Sequence, residues 1–105
     1  MSTRDVYTAI ADPTRRQILD LLYEKDAASA GEIAARFHST SRPAISRHLR
    51  VLRECGVVES APRGKMRIYV LVPEPINEIR KGWLQKFSTR NMQGLVRLRQ
   101  IAEAD

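Results

Sequence analysis

Four arginines, Arg42, Arg47, Arg50 and Arg53, lie close together in mid-chain, with Thr40, Ser41, Ser46 and His48 among or beside them. A guanidinium is permanently charged and presents a flat fork of donors, a shape that grips a phosphate or the edge of a guanine. Small residues between such forks let the backbone approach a polyanion closely. This is the chemistry of recognition, and nothing in the chain is arranged for making bonds. There is no Ser, His and acid set at a suggestive spacing, no glycine-rich phosphate loop and no metal motif. Two histidines, His38 and His48, with scattered acids do not make an active site, so an enzyme is not expected. The single cysteine, Cys55, cannot close an internal disulfide or supply a cysteine-based zinc site alone.

The charge distribution points the same way. The chain has 105 residues, with 18 Lys plus Arg against 12 Asp plus Glu, for a net +6. Residues 36 to 67 carry eight basic side chains, Arg36, Arg42, Arg47, Arg50, Arg53, Arg63, Lys65 and Arg67, and two acidic ones, Glu54 and Glu59. That stretch holds the whole excess, and the remainder is balanced. A neutral body with one basic segment suits a polyanion-binding face; the alternative is a solvated surface that keeps the protein soluble. The length favours one domain, 1–105, of a size that often completes its core by dimerising. A hydrophobic content of 43% with 29% charged residues fits a globular fold. No apolar run approaches the roughly 18 residues of a membrane span. Met1 to Asp5 lacks the apolar core of a secretion signal. The expectation is a cytoplasmic protein without membrane insertion.

The elements that must hold the arginines outward can be read from pattern and caps. Residues 4 to 10 read as a short helix with Val6, Tyr7 and Ile10 on one side. Asp12 caps a second helix, with Pro13 in its first turn, running to about Tyr23. Ile18, Leu21 and Leu22 form its stripe, with Leu19 at the edge. Ser29-Ala30-Gly31-Glu32 is a capping box opening a third helix with Ile33, Ala34 and Phe37 inward. Thr40 or Ser41 caps a fourth helix, with Arg42 and Pro43 in its first turn, that runs to about Glu54 and stops at Gly56. Val57 to Ser60 and Met66 to Leu71 read as a hairpin around a turn at Pro62–Lys65. A long last helix is expected from about Glu74 to Ala102, with Ile76, Ile79, Trp83, Phe87, Leu95, Leu98 and Ile101 at helical spacing.

Residues 29–54 therefore have the size of a helix-turn-helix, and 57–71 that of a wing. At about 100° per residue, Ile45, Leu49 and Leu52 share one arc of the fourth helix. Ser46, Arg47, Arg50 and Arg53 share the opposite arc, with Arg42, Pro43 and Ala44 near its start. A cationic outward face with small residues at its N-terminal end suits insertion into a major groove. A hairpin tip of Arg63, Gly64 and Lys65, with Arg67 beyond, suits a wing along a minor groove. The fold class is thus mainly α with a small β-hairpin, a winged helix-turn-helix.

Asp12-Pro13-Thr14-Arg15-Arg16-Gln17-Ile18-Leu19, then Ser41-Arg42-Pro43-Ala44-Ile45-Ser46-Arg47-His48-Leu49-Arg50-Val51-Leu52, then Cys55-Gly56-Val57-Val58, resemble the ArsR-type winged-helix repressors. The likeness is nearest to the metal-independent, SdpR-like autorepressor branch and covers nearly the whole chain. It implies a bacterial or archaeal homodimer that represses by occupying promoter DNA. The family's metal sites do not carry over. The third helix, Gly31 to Phe37, has no thiol or imidazole, and the last helix has no histidine. Its acids, Glu74, Glu78, Glu103 and Asp105, lie at its two ends. No metal and no cofactor are expected.

Cys55 reads as a small buried residue, with a redox switch as its sharper alternative. His48 lies between the two arcs of its helix. It could pack at the helix contact, while the resemblance favours a DNA-backbone contact. Trp83 and Phe87 could frame an effector pocket but read better as dimer core. The expected interface is 4–10 with 76–101, through Val6, Tyr7, Ile10, Ile79, Trp83, Phe87, Leu95 and Leu98. Two-fold pairing would set two recognition helices about 34–36 Å apart, or a multiple of that, on an inverted repeat of double-stranded DNA. The expected function is a sequence-specific repressor dimer. Other readings are a winged-helix module docking a protein or RNA, and a sensor of an unidentified effector or sequestering protein.

Overall fold

In the computed structural model, residues 5–88 and 93–104 are described. The expected helix start at residue 4, positions 89–92 of the expected last helix and interface, and Asp105 lie outside them. The described elements run α1 (Val6–Ile10), α2 (Pro13–Lys25), β1 (Ala27–Ser29), α3 (Ala30–Ala35), α4 (Arg42–Glu54), β2 (Val58–Arg63), β3 (Met66–Leu71), α5 (Glu74–Lys81), α6 (Gln85–Ser88) and α7 (Gln93–Glu103).

The caps do what their residue types allow. Asp5 accepts from the Thr8 amide at 3.1 Å and opens α1. Asp12 accepts from the Arg15 amide at 3.1 Å, and Pro13 begins α2 where no amide hydrogen is needed. At α3 the capping box is reciprocal: the Glu32 amide donates to Ser29 Oγ at 3.1 Å, and the Ser29 amide donates to Glu32 Oε1 at 2.9 Å. Lys25 joins that carboxylate from the end of α2, 3.2 Å away. The Ser29 amide, then Lys25, hold the Glu32 carboxyl below its ordinary range. Helix α4 ends in a full Schellman arrangement. The Gly56 amide donates to Arg53 O at 3.0 Å and the Val57 amide to Leu52 O at 3.2 Å, with Gly56 at φ +77°.

The core forms where the helix stripes meet the sheet. Ile18, Leu19, Leu21 and Leu22 of α2, Ile33 of α3, and Ile45, Leu49 and Leu52 of α4 are buried with Val57, Val58 and Tyr69. Leu19, expected at the edge of its stripe, is buried with the others.

Three features differ from the sequence reading. The sheet has three strands in the order β1-β3-β2, all antiparallel. The unexpected strand, β1, is only three residues long, too short to alternate visibly. Next, β2 continues through Pro62 to Arg63, and the turn shrinks to Gly64–Lys65. Proline is admissible there because β2 is an edge strand, where a missing amide hydrogen breaks no ladder on the open side. Gly64, at φ +63°, takes the first central position of the turn, where a II′ hairpin wants glycine. Last, the expected single helix from Glu74 is interrupted. Gly82 ends α5 at φ −91°, ψ −105°, outside helical geometry, and α6 and α7 follow as separate pieces. Helical spacing of apolar residues survives such a break, so periodicity alone did not reveal it.

No side chain of α7 is buried among the described residues. The molecule measures 70 × 29 × 28 Å, with a radius of gyration of 18.9 Å. A compact domain of this length would have about 13 Å.

Candidate nucleic-acid interface

Ser41 caps α4, its Oγ accepting from the Ala44 amide at 3.2 Å. Thr40, the alternative cap, is half-buried, and its own amide is held by Phe37 O at 3.2 Å. Ile45, Leu49 and Leu52 point into the core and fix the helix's rotation about its axis. The opposite side is then compelled to face out. Ser46, Arg47, Arg50 and Arg53 are exposed and line a shallow concavity of about 290 Å³. Arg42 and Pro43 are exposed in the first turn, with Ala44 half-buried beside them. The helix N-terminus adds a partial positive charge to this face. The sequence-derived arcs of α4 thus match the packed helix residue by residue.

On the hairpin, Arg63 and Lys65 flank Gly64 at the exposed tip. Arg67 is also exposed, and its Nε donates to Ser60 Oγ at 2.8 Å, which lays the side chain across the ribbon. The arrangement places a cationic rod and a cationic ribbon tip on one small body.

His48 has other company. It is half-buried, with Nδ1 lying 3.3 Å from Arg15 Nη1 and Nε2 lying 3.9 Å from Asp12 Oδ2. Both partners belong to α2 or its cap, so the ring stands at the helix contact, away from the outward arginine arc. Burial pushes the Asp12 carboxyl up, but the hydrogen bond from the Arg15 amide, with the neighbouring His48 and Arg15 side chains, outweighs it and holds the group below the ordinary range.

Arg15 and Arg16, which the sequence reading did not single out, tie α2 to α1. A short helix such as α1 leaves its last carbonyls without intrahelical partners. Arg15 Nη2 donates to Thr8 O at 2.8 Å, Arg15 Nε to Ala9 O at 3.2 Å, and Arg16 Nη1 to Ile10 O at 2.7 Å. The Asp12-Pro13-Thr14-Arg15-Arg16 run was visible, but its acceptors are backbone atoms, which carry no sequence signal.

The residues expected at a subunit interface divide into two groups. Val6 and Ile79 are buried inside the protomer and Ile10 is half-buried, so they belong to its own core and not to an open face. Tyr7, Trp83, Phe87, Leu95 and Leu98 are exposed, the last at 61%. Tyr7 and Trp83 line an apolar hollow of about 350 Å³. Cys55 is buried at the C-cap of α4. His38 is exposed at the α3–α4 turn, in an open cleft of about 540 Å³ shared with Asp20, Glu24, Arg36 and Phe37.

A helix-turn-helix domain model matches residues 10–61, the span from the end of α1 to mid-β2. The uncharacterized HTH-type transcriptional regulator YuzN of Bacillus subtilis (strain 168) is 36% identical over 85 residues, which are 76% of this chain and 92% of YuzN. The transcriptional repressor SdpR of the same strain is 45% identical over 67 residues, 64% of this chain and 72% of SdpR. The solved structure of an ArsR-like transcriptional regulator from Rhodococcus sp. RHA1 superposes with a TM-score of 0.70. It is 33% identical, over 95% of this chain and 89% of that one. The chain belongs to the ArsR family. As an ArsR-family winged helix-turn-helix protein it is a transcriptional regulator, and its relatives are regulators, not enzymes.

In this member α3 and its flank, Gly31 to Phe37, carry no Cys or His, and the helices after Pro73 carry none either. Among the described residues, no three of His, Cys, Asp and Glu come together.

Proposed function

We propose that the chain is a homodimeric repressor that binds an inverted-repeat operator in double-stranded DNA, without the metal sites used by other ArsR-family members. The observation that carries this reading is the two-sided character of α4. One face is locked into the core by Ile45, Leu49 and Leu52, and the other presents Ser46, Arg47, Arg50 and Arg53 to solvent. Arg42, Ser46, Arg47 and Arg50 would contact bases and phosphates, helped by Thr40, Ser41, Pro43 and Ala44 at the helix start. His48 would support the helix from behind. Arg63, Lys65 and Arg67 would hold the flanking backbone. Protein-docking surfaces are anchored by apolar and aromatic residues, and the outward arc of α4 offers none.

Dimerisation is supported by what the protomer leaves uncovered. Tyr7, Trp83, Phe87, Leu95 and Leu98, with Ile101, are exposed on elements that flank the body. Monomeric proteins rarely leave such a run in water. A second copy covers it and carries the second recognition helix. The bound dimer then blocks polymerase by occupancy, on DNA in the cytoplasm, and needs no cofactor. Among the described residues no helix is long and apolar enough to cross a membrane. The apolar hollow at Tyr7 and Trp83 leaves room for an effector or a sequestering protein that competes with the second copy.

The test is selection of bound fragments from random double-stranded oligonucleotides at near-physiological salt. An inverted repeat is the expected product. Recovery of no preferred sequence, or of a single unrepeated site, would overturn the reading.

A further inference from the structure

We infer that Arg15 is a positioning residue for DNA recognition: it fixes the angle between α1 and α4, and so the separation of the two recognition helices in the dimer. The inference rests on the dimeric, DNA-binding reading above. Arg15 is half-buried, and its three side-chain nitrogens are divided between two elements. Nη2 and Nε hold the Thr8 and Ala9 carbonyls at the end of α1, at 2.8 and 3.2 Å, while Nη1 meets His48 Nδ1 of α4 at 3.3 Å. These atoms belong to one rigid plane. A tilt of α4 against α1 therefore breaks at least one contact.

The bond roles are also fixed. A guanidinium only donates, so in this contact His48 Nδ1 is the acceptor. Nε2 faces Asp12 Oδ2 at 3.9 Å, and Asp12 in turn accepts from the Arg15 amide at 3.1 Å. Asp12 and Arg15 thus meet His48 from α2 and its cap, and the guanidinium carries the link on to the carbonyls of α1. Arg16 also grips α1, at Ile10 O, but no bond from it to α4 is seen among the described residues.

The two ends of this link carry different tasks. α1 holds Tyr7, whose ring meets Trp83 on the exposed apolar face. α4 holds the arginines that would meet DNA. In a two-fold dimer any change of angle acts twice. Because one base-pair step is about 3.4 Å along the duplex, a displacement of about half that in each protomer moves the pair out of register by a full step. Arg15 acts on specificity through geometry, without touching DNA.

The experiment uses the duplex selected by the wild-type chain, the same duplex with its spacer one base pair longer or shorter, and a duplex with a single half-site. Arg15→Met should bind the selected duplex about tenfold or more weakly and lose its preference over the altered spacers. Its monomer–dimer equilibrium and its single half-site affinity should stay within about threefold of wild type. His48→Leu should behave in the same way, and the double variant should be no worse than the weaker single. His48→Gln, whose amide oxygen can accept from the guanidinium, should recover most of the spacer preference. If Arg15→Met fails to fold, as judged by circular dichroism, the two His48 variants decide the matter. An unchanged spacer preference in a folded variant overturns the inference. So does an equal loss on every duplex, or additivity in the double variant. A wild-type selection without an inverted repeat would instead overturn the proposed function, before any variant is made.

Discussion

Tyr7 and Trp83 meet edge to face, with ring centroids 6.0 Å apart and planes at 89°. One lies on α1 and the other beyond the end of α5, so the contact ties α1 to the segment that follows α5. It continues to Phe87, whose ring lies 4.8 Å from that of Trp83. Each of the three rings is at least two-fifths exposed, and Trp83 is 52% exposed. Large aromatics covered by a partner are the residues that dominate interface energy. Trp83→Ala should raise the monomer–dimer dissociation constant by about 30-fold, or ~2 kcal/mol. Sedimentation velocity across a concentration series measures it. An unchanged constant would mean that the copies meet elsewhere.

Arg47 stands at the centre of the outward arc of α4, beside Ser46. Arg47→Ala should cost about 1–3 kcal/mol on the selected operator and relax the preference at one base position. Lys65 sits at the tip of the hairpin. Lys65→Ala should weaken specific and random duplexes alike and make the slope of log affinity against log salt shallower by about one. Fluorescence anisotropy titrations at several salt concentrations separate the two. Equal losses on all sequences for both variants would argue against direct base readout.

Asp12 contributes through its charge as well as its cap. Its folded carboxyl is held below the ordinary value of 3.8, so the ionised form favours the fold. That contribution is complete above the ordinary value and is lost as pH falls through the lowered one. Asp12→Asn, which keeps an oxygen for the Arg15 amide, should melt below wild type at neutral pH. The gap should close as pH is taken down from 3.8. A gap of constant size across thermal melts from neutral to strongly acid pH would show that the charge contributes nothing.

Gly56 sits at φ +77° with open space where a Cβ would be. Backbone strain is then the whole cost of a side chain at this position. Gly56→Ala should destabilise the fold by about 1–2 kcal/mol, seen as a lower urea midpoint with an unchanged slope.

The parts of this fold that were legible in the sequence are those set by local chemistry. Asp12, Ser29 with Glu32, Ser41 and Gly56 each act within a few residues of themselves, and each marks a helix boundary where it was expected. The arcs of α4 follow from 3.6-residue geometry once Ile45, Leu49 and Leu52 are taken as inward. What could not be read is non-local. Ala27 to Ser29 become a strand only because β3 arrives beside them. Pro62 lies in a strand only because that strand has an open edge. Val6 and Ile79 have the same periodicity as the exposed apolar residues, and only packing separates the two sets. The link from Arg15 to His48 spans 33 positions. No motif announces it, and the same histidine, read alone, could equally have faced a phosphate.

Ser29 pairs with Ile68 partway along the hairpin and also caps α3, while Ala28 and Ala27 pair with Tyr69 and Val70 toward its base. One residue is therefore both the last rung of β1 and the first brace of the helix pair. The ribbon has no free hinge at its base, so it cannot swing to find a groove independently of the rod beside it. On the proposed operator the two would dock as a single rigid key. DNA that offers a good major-groove sequence but the wrong width in the neighbouring minor groove would then have to bend to fit or be refused. A stiff duplex and a pliable one of equal contact chemistry will thus be told apart by their mechanics.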